Sequence, residues 1–188
     1  KDGEIVYQGA VNDVIENYIS NGQNLGNTKT LDSQIPNYTE NDSKFLVKDL
    51  FIKQNNRNQT VYILSEPINI YVKYKILDTI LNFRLIFDLK DDYGNLIFRS
   101  FHDDMNEKPT KINRGDYCSS VQIPSYFLAP RKYEVIFNAT IHNDKMFLIE
   151  GLKLPLTVER SGIINKAYIG DPIRGIISPS LSWENKKI

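Results

Sequence analysis

The stretch Pro67-Ile68-Asn69-Ile70-Tyr71-Val72-Lys73-Tyr74-Lys75-Ile76, with Phe83-Arg84-Leu85-Ile86-Phe87-Asp88-Leu89-Lys90 after it, decides the fold. Ile68, Ile70, Val72, Tyr74 and Ile76 fall on one side of an alternation, and Asn69, Tyr71, Lys73 and Lys75 on the other. Phe83, Leu85, Phe87 and Leu89 repeat it against Asn82, Arg84, Ile86, Asp88 and Lys90. Successive Cβ atoms of an extended chain point to opposite faces of the pleat, so this period predicts strands with one buried and one wet side. A third strand, Leu96 to Phe101, follows Asp91-Asp92-Tyr93-Gly94-Asn95, a turn in which Gly94 can supply a positive φ.

Outward from this stretch the pattern recurs. Phe45 to Lys53 is a strand of mixed register, which a bulge or burial on both sides would explain. Asn55-Asn56-Arg57-Asn58 reads as a turn, Thr60 to Leu64 as a short strand, and His102 to Arg114 as a loop. Val121 and Ile123 resume the alternation. Tyr133, Val135, Phe137, Ala139 and Ile141 then point inward, against Glu134, Ile136, Asn138, Thr140 and His142. Met146 to Ile149 is expected to pair back. Leu152, Leu154, Leu156 and Val158 form a last strand, with Pro155 on the opposite face suited to an edge. Short strands at such spacing, punctuated by turn residues, predict an all-β fold, an antiparallel β-sandwich.

The N-terminal part is different. Glu4 to Gln8 reads as a short strand. Val11, Val14, Ile15 and Tyr18 then fall at helical spacing, a strand-helix segment that predicts the tail of a preceding domain over residues 1–20. Residues 21–43 are rich in Asn, Ser, Thr, Gly and Pro and read as a linker. The sandwich is expected over 44–188. The sequence begins without Met, which predicts a piece of a longer protein.

Composition narrows the function. Lys+Arg and Asp+Glu are both 23, so the formal net charge is zero. Nothing here offers the basic excess that nucleic acid needs, nor a polybasic cluster for anionic lipid. Cys118, the one cysteine of 188 residues, excludes an internal disulfide and a cysteine-based zinc site. It is expected as a half-buried strand thiol in a reducing compartment. No apolar run reaches the roughly 18 residues of a membrane span.

Phosphate-cradling glycine loops and the nucleophile elbow are absent from the sequence. His102 beside Asp103-Asp104 could supply metal ligands, but adjacent side chains diverge, and no metal site is expected. Asp88, Asp92, Asp103, Asp104 and Glu134 are the carboxylates from which a glycosidase pair would have to come. The wet sheet faces remain. Tyr71, Lys73, Arg84, Asp88, Arg99, Phe101, Asn138, Thr140 and His142 are candidates for a ligand site in which aromatic faces stack on sugar C–H and polar groups bind hydroxyls. The plainer reading is an ordinary solvated sheet whose aromatics satisfy strand preference. Trp183 is expected to plug one end of the sandwich.

Four passages add a resemblance. Gly3-Glu4-Ile5-Val6-Tyr7-Gln8-Gly9 with Val14-Ile15-Glu16-Asn17-Tyr18 is similar to the closing strand and helix of polysaccharide-exporter ATPases. Tyr93-Gly94-Asn95-Leu96-Ile97-Phe98 resembles a hairpin of the same family. Ile123-Pro124 followed by Leu128-Ala129-Pro130-Arg131-Lys132-Tyr133 resembles its turn, with Arg131-Lys132 where a Gly is usual. Gly175-Ile176-Ile177, Pro179 and Trp183 resemble its C-terminal motif. The chain thus looks like the C-terminal carbohydrate-binding domain, with the tail of the nucleotide-binding domain, of the ATPase subunit of an O-antigen polysaccharide ABC transporter. The resemblance implies recognition of the terminal residues of a lipid-linked glycan in the cytoplasm, peripheral to the inner membrane. It also implies that the sandwich is immunoglobulin-like, with a homodimer whose C-terminal strands can be exchanged and a membrane-spanning transporter subunit as partner. ATP and Mg would belong to the missing domain, so no cofactor and no catalysis are expected in these residues. A purely structural dimerisation domain and a glycosidase-like enzyme are the alternatives.

Overall fold

The computed structural model describes residues 44–148 and 151–160, and residues 167, 168, 171, 173, 175–179 and 181–187 of the tail. The expected strand-helix segment and linker over 1–43 lie outside the described residues, as does Ile149. Twelve strands follow in order: β1 (Phe45–Gln54), β2 (Arg57–Asn58), β3 (Val61–Ile63), β4 (Ile68–Ile76), β5 (Ile80–Leu81), β6 (Phe83–Asp91), β7 (Leu96–Phe101), β8 (Lys111–Ile112), β9 (Gly115–Ile123), β10 (Lys132–Ile141), β11 (Lys145–Met146) and β12 (Leu152–Glu159). No helix occurs among the described residues.

Two sheets face each other. One has the order β2-β1-β4-β9, the other β3-β12-β10-β6-β7 with β11 on the end of β10, and β5 with β8 makes a separate two-stranded ribbon. Among the described residues every strand pairing is antiparallel except β12 with β3. The inward rows expected from the alternation are the core: Ile68 to Ile76 of β4, Phe83 to Leu89 of β6, Tyr133 to Ala139 of β10 and Leu152 to Val158 of β12 form one apolar cluster. Each buried Leu, Ile or Phe there contributes about 1.5–3 kcal/mol over its exposed state.

The mixed register of β1 has a local cause. A bulge between Val47 and Asp49 shifts the pairing with β4. Ahead of it Phe45 and Val47 point into the core; after it Leu50, Ile52 and Gln54 do. One inserted residue has changed the parity of the strand. Bulged-out Lys48 reaches Asp116 of β9, 2.5 Å away.

Several expectations need correction. The turn after β1 is only Asn55-Asn56, both left-handed at φ 50° and 60°; Arg57 and Asn58 already pair with β1. The loop after Phe101 contains β8. Strand β9 begins at Gly115, earlier than Val121, because its inward residues Tyr117 and Ser119 are not aliphatic and so break the apolar count. Cys118 is on that strand but exposed. Strand β12 is no simple edge, for its ladder with β3 starts at Thr157, two residues past Pro155. Trp183 plugs nothing: it is 86% exposed.

Candidate functional site

The nine candidate residues divide between two surfaces. Tyr71 and Lys73 lie on the outer face of the four-stranded sheet. There Tyr71 stacks on Phe51, centroids 5.2 Å apart and planes 14° from parallel. The ammonium groups of Lys73 and Lys53 lie 5.2 and 5.3 Å from the same ring. Phe51 is buried beneath these neighbours, so the patch is filled by its own side chains and offers little open aromatic surface.

Arg84, Asp88, Arg99, Phe101, Asn138 and Thr140 share the outer face of the other sheet, because the β6–β7 and β6–β10 registers set Asp88 opposite Arg99 and Arg84 opposite Thr140. Two of them are not the wet groups that alternation suggests. Asp88 is 8% exposed; both its oxygens accept from Arg99, Nε and Nη2 each at 2.7 Å. That pairing also holds the Arg99 guanidinium charged more firmly than usual. Asn138 is buried too. Its Nδ2 donates to the Leu148 carbonyl and its Oδ1 accepts from Ala139 N–H. The chain returning from β11 to β12 therefore takes up this amide, a covering that residue alternation does not reveal. Thr140 donates to the Lys145 carbonyl at 2.6 Å and so ties down the β10–β11 turn.

The open chemistry gathers at one end of this sheet. Arg84 Nε donates to both oxygens of Asp103, at 2.8 and 3.0 Å. The guanidinium carbon sits 3.8 Å above the Phe101 ring, and Asp104 anchors the turn by accepting from Phe101 N–H. Beside this stack runs a cleft of about 380 Å³ lined by Asn82, Arg84, Asp103, Pro109, Thr110, His142 and Asn143. Asn82 and Asn143 are both left-handed, at φ 57° and 60°. Asn tolerates that region where most side chains do not. His142 N–H donates to the Asn82 carbonyl at 2.9 Å, which joins the two rims.

Of the nine candidates, Arg84 and His142 line the cleft and Phe101 backs it. Thr110 and Asn143 escape the alternation argument because they lie outside the strands, whereas Asn82 stands on the outward row just ahead of β6. A signal was nevertheless present: an Asn at each strand junction, Leu81-Asn82-Phe83 and His142-Asn143-Asp144. Chemically the cleft offers amide donors and acceptors, one hydroxyl, an exposed imidazole and a guanidinium whose charge Asp103 already balances. That set suits an uncharged, hydroxyl-rich ligand better than an ion.

His102 stands just behind it. Its Nδ1 accepts from Leu85 N–H at 2.9 Å. Burial pushes its pKa below the ordinary value, with Asp103 opposing and Arg84 assisting. Among the described residues no three His, Cys, Asp or Glu side chains are grouped to hold a metal ion, and no helix is long and apolar enough to cross a membrane.

No family model and no curated protein matches this sequence. Solved structures do. The crystal structure of the C-terminal domain of wzt superposes with a TM-score of 0.61 at 12% identity, covering 77% of this chain and 86% of that one. A Bacteroides uniformis beta-glucuronidase aligns at a TM-score of 0.39 and 16% identity, over 57% of this chain and 13% of that one. A Niemann-Pick type C2 protein from the Japanese carpenter ant gives 0.43 at 11%, over 62% and 93%. At such identity the likeness to the C-terminal domain of wzt is one of fold. The chain is an antiparallel β-sandwich of that fold.

Proposed function

We propose that this chain is the carbohydrate-binding domain of an ABC transporter ATPase subunit, recognising the terminal residues of a lipid-linked O-antigen polysaccharide. In this reading it works in the cytoplasm at the inner membrane, as a homodimer serving a membrane-spanning subunit. ATP and Mg act on the nucleotide-binding domain of the whole protein. The observation that carries the reading is the Asn82–Arg84–His142 cleft, with Arg84 laid over Phe101, within a fold shared with the C-terminal domain of wzt. The four sequence passages that resemble polysaccharide-exporter ATPases support it.

The glycosidase alternative draws no support from the carboxylates. A general acid needs a raised pKa. Asp78, Asp91 and Asp116 are held below the ordinary carboxylate range, chiefly by hydrogen bonds from Thr79, Asn95 and Lys48 respectively. Asp88 and Asp103 are each engaged by an arginine. One observation favours the dimerisation reading: Leu181 and Trp183 of the tail are exposed apolar groups, and such groups seek cover.

Titration calorimetry against a panel of bacterial O-polysaccharides tests the proposal. One member should bind, and His142→Ala and Asn143→Gly, the latter keeping the left-handed backbone at φ 60°, should each weaken it about tenfold while leaving the thermal transition in place. If no polysaccharide in the panel releases heat at millimolar glycan, while the protein elutes as a stable dimer, the dimerisation reading replaces this one.

A further inference from the structure

A second cavity lies between the sheets rather than on them. It measures about 280 Å³ and reaches the surface between the edge strands β7 and β9. Its deep wall is hydrocarbon: Leu50, Ile70 and Val72 from one sheet, and Leu85, Phe87 and Phe137 from the other. The cause is visible in the registers. Ser100 pairs with Phe87 and Ser119 with Val72, so both serines point into the sandwich. Their neighbours on the same inward rows are Phe98, Tyr117 and Val121, which do pack against the core. Two small residues, one on each edge strand, leave the space that two large ones would fill.

We propose that this inter-sheet cavity binds an uncharged aliphatic chain, its polar end at the Ser100–His102 mouth. No charged side chain lines it, and an ion placed there would lose its hydration without compensation. A sugar ring would leave hydroxyls unpaired against the six apolar residues of the wall, at a similar penalty. The size suffices: an apolar cavity of about 150 Å³ holds a benzene ring, and ligand pockets begin near 300 Å³. The mouth supplies limited polarity. Ser119 Oγ already shares a hydrogen bond with Tyr74 Oη at 3.1 Å. His102 receives the Leu85 N–H on Nδ1, so the neutral ring carries its proton on Nε2 and can donate to a hydroxyl or carbonyl. The cavity opens between the sheet edges and the cleft lies beyond the outer face of one sheet, with Phe101 as the ring they share: it lines the cavity and backs the cleft beneath Arg84.

Binding of the uncharged fluorophore N-phenyl-1-naphthylamine to this chain tests the inference, with 1-decanol and decanoate as competitors at pH 8. Saturable fluorescence enhancement is expected, reversed by decanol and at least about tenfold less effectively by decanoate. Ser100→Leu and Ser119→Leu, which fill the space, should each lower fluorophore affinity about tenfold or more. Ser100→Leu should keep a thermal transition at or above that of the parent, whereas Ser119→Leu should lower it, because the buried Tyr74 hydroxyl loses its partner. Absence of saturable enhancement, equal displacement by decanoate, or parental binding by a folded filled variant would overturn the proposal. Should a filled variant fail to fold, methyl NMR of the parent decides. Decanol must move the Ile70, Val72 and Leu85 methyls and spare those of Ile76 and Leu156; no shifts, or shifts spread through the core, count against it.

Discussion

Gln54 is 1% exposed, yet it is polar. Its Nε2 donates to the carbonyls of Ile63 and Glu66 at 2.8 and 3.1 Å, and its Oε1 accepts from Ile63 N–H at 2.9 Å. Gln54 belongs to β1 and Ile63 to β3, so one amide links the two sheets. Leucine in its place would keep the volume and take this partner from Ile63 N–H and the Glu66 carbonyl, while the Ile63 carbonyl keeps its bond from Glu66 N–H at 3.3 Å. Each buried polar group left without a partner costs roughly 1–3 kcal/mol. Gln54→Leu should therefore lower stability by about 3 kcal/mol in urea unfolding, and a change below about 0.5 kcal/mol would show that the amide holds nothing. Residues of this kind were hard to read in the sequence. Gln54 and Asn138 are ordinary polar letters on a strand, and only the loops that close over them make them structural. Asp88 was placed on the correct face, but its partner Arg99 removes it from solvent. Arg84 and His142, which line the cleft, are legible on the outward rows of their strands, one near the start of β6 and the other just past the end of β10.

At the scale of elements, alternation located the strands well and their limits less well. The inward row of β6 is the core that the pattern announced, with Phe87 set edge-on to Phe98 at 5.6 Å between centroids. Phe87→Ala should cost about 3–5 kcal/mol; near-neutral unfolding would mean that ring is not a core residue. Strand β9 began earlier than the pattern said, since Tyr117 and Ser119 stand where aliphatic residues were sought. The pairing back expected from Met146 holds at Met146, and Phe147 N–H still bonds the Ala139 carbonyl at 2.8 Å, but the entry to β12 follows a glycine that alternation does not mark. Gly151 has φ +72°, and a Cβ there would come within 2.6 Å of Ile136 Cγ2 and 3.1 Å of the Phe137 carbonyl. Left-handed strain costs of order 1–3 kcal/mol before any clash. Gly151→Ala should thus destabilise by at least that much and release the Asn138 amide, visible as faster hydrogen exchange at Ala139.

For the whole molecule, charge and pH separate two kinds of stabilisation. Asp91 accepts from Tyr93 N–H and Asn95 N–H on one oxygen and from the Asn95 side chain on the other. It holds the β6–β7 turn, and with Asp78 and Asp116 its pKa is lowered in the fold. A lowered carboxylate stabilises above its unfolded pKa near 3.9, and that support is lost as pH falls through the folded value. His102 acts higher on the scale. Its folded pKa is also lowered, chiefly by burial, so the unfolded chain takes up a proton near pH 6.5 that the folded chain refuses. Stability is therefore whole above about pH 6.5 and declines below it until the folded imidazole protonates and releases Leu85 N–H. Asp103 and Asp104 draw that proton in and Arg84 repels it, but desolvation outweighs them. The melting temperature should fall in two steps, one below about pH 6.5 and one below about pH 4. His102→Gln, an uncharged acceptor for Leu85 N–H, should erase the first step and keep the second. A variant that retains the upper step would assign it to another group and leave the imidazole as a packing residue alone.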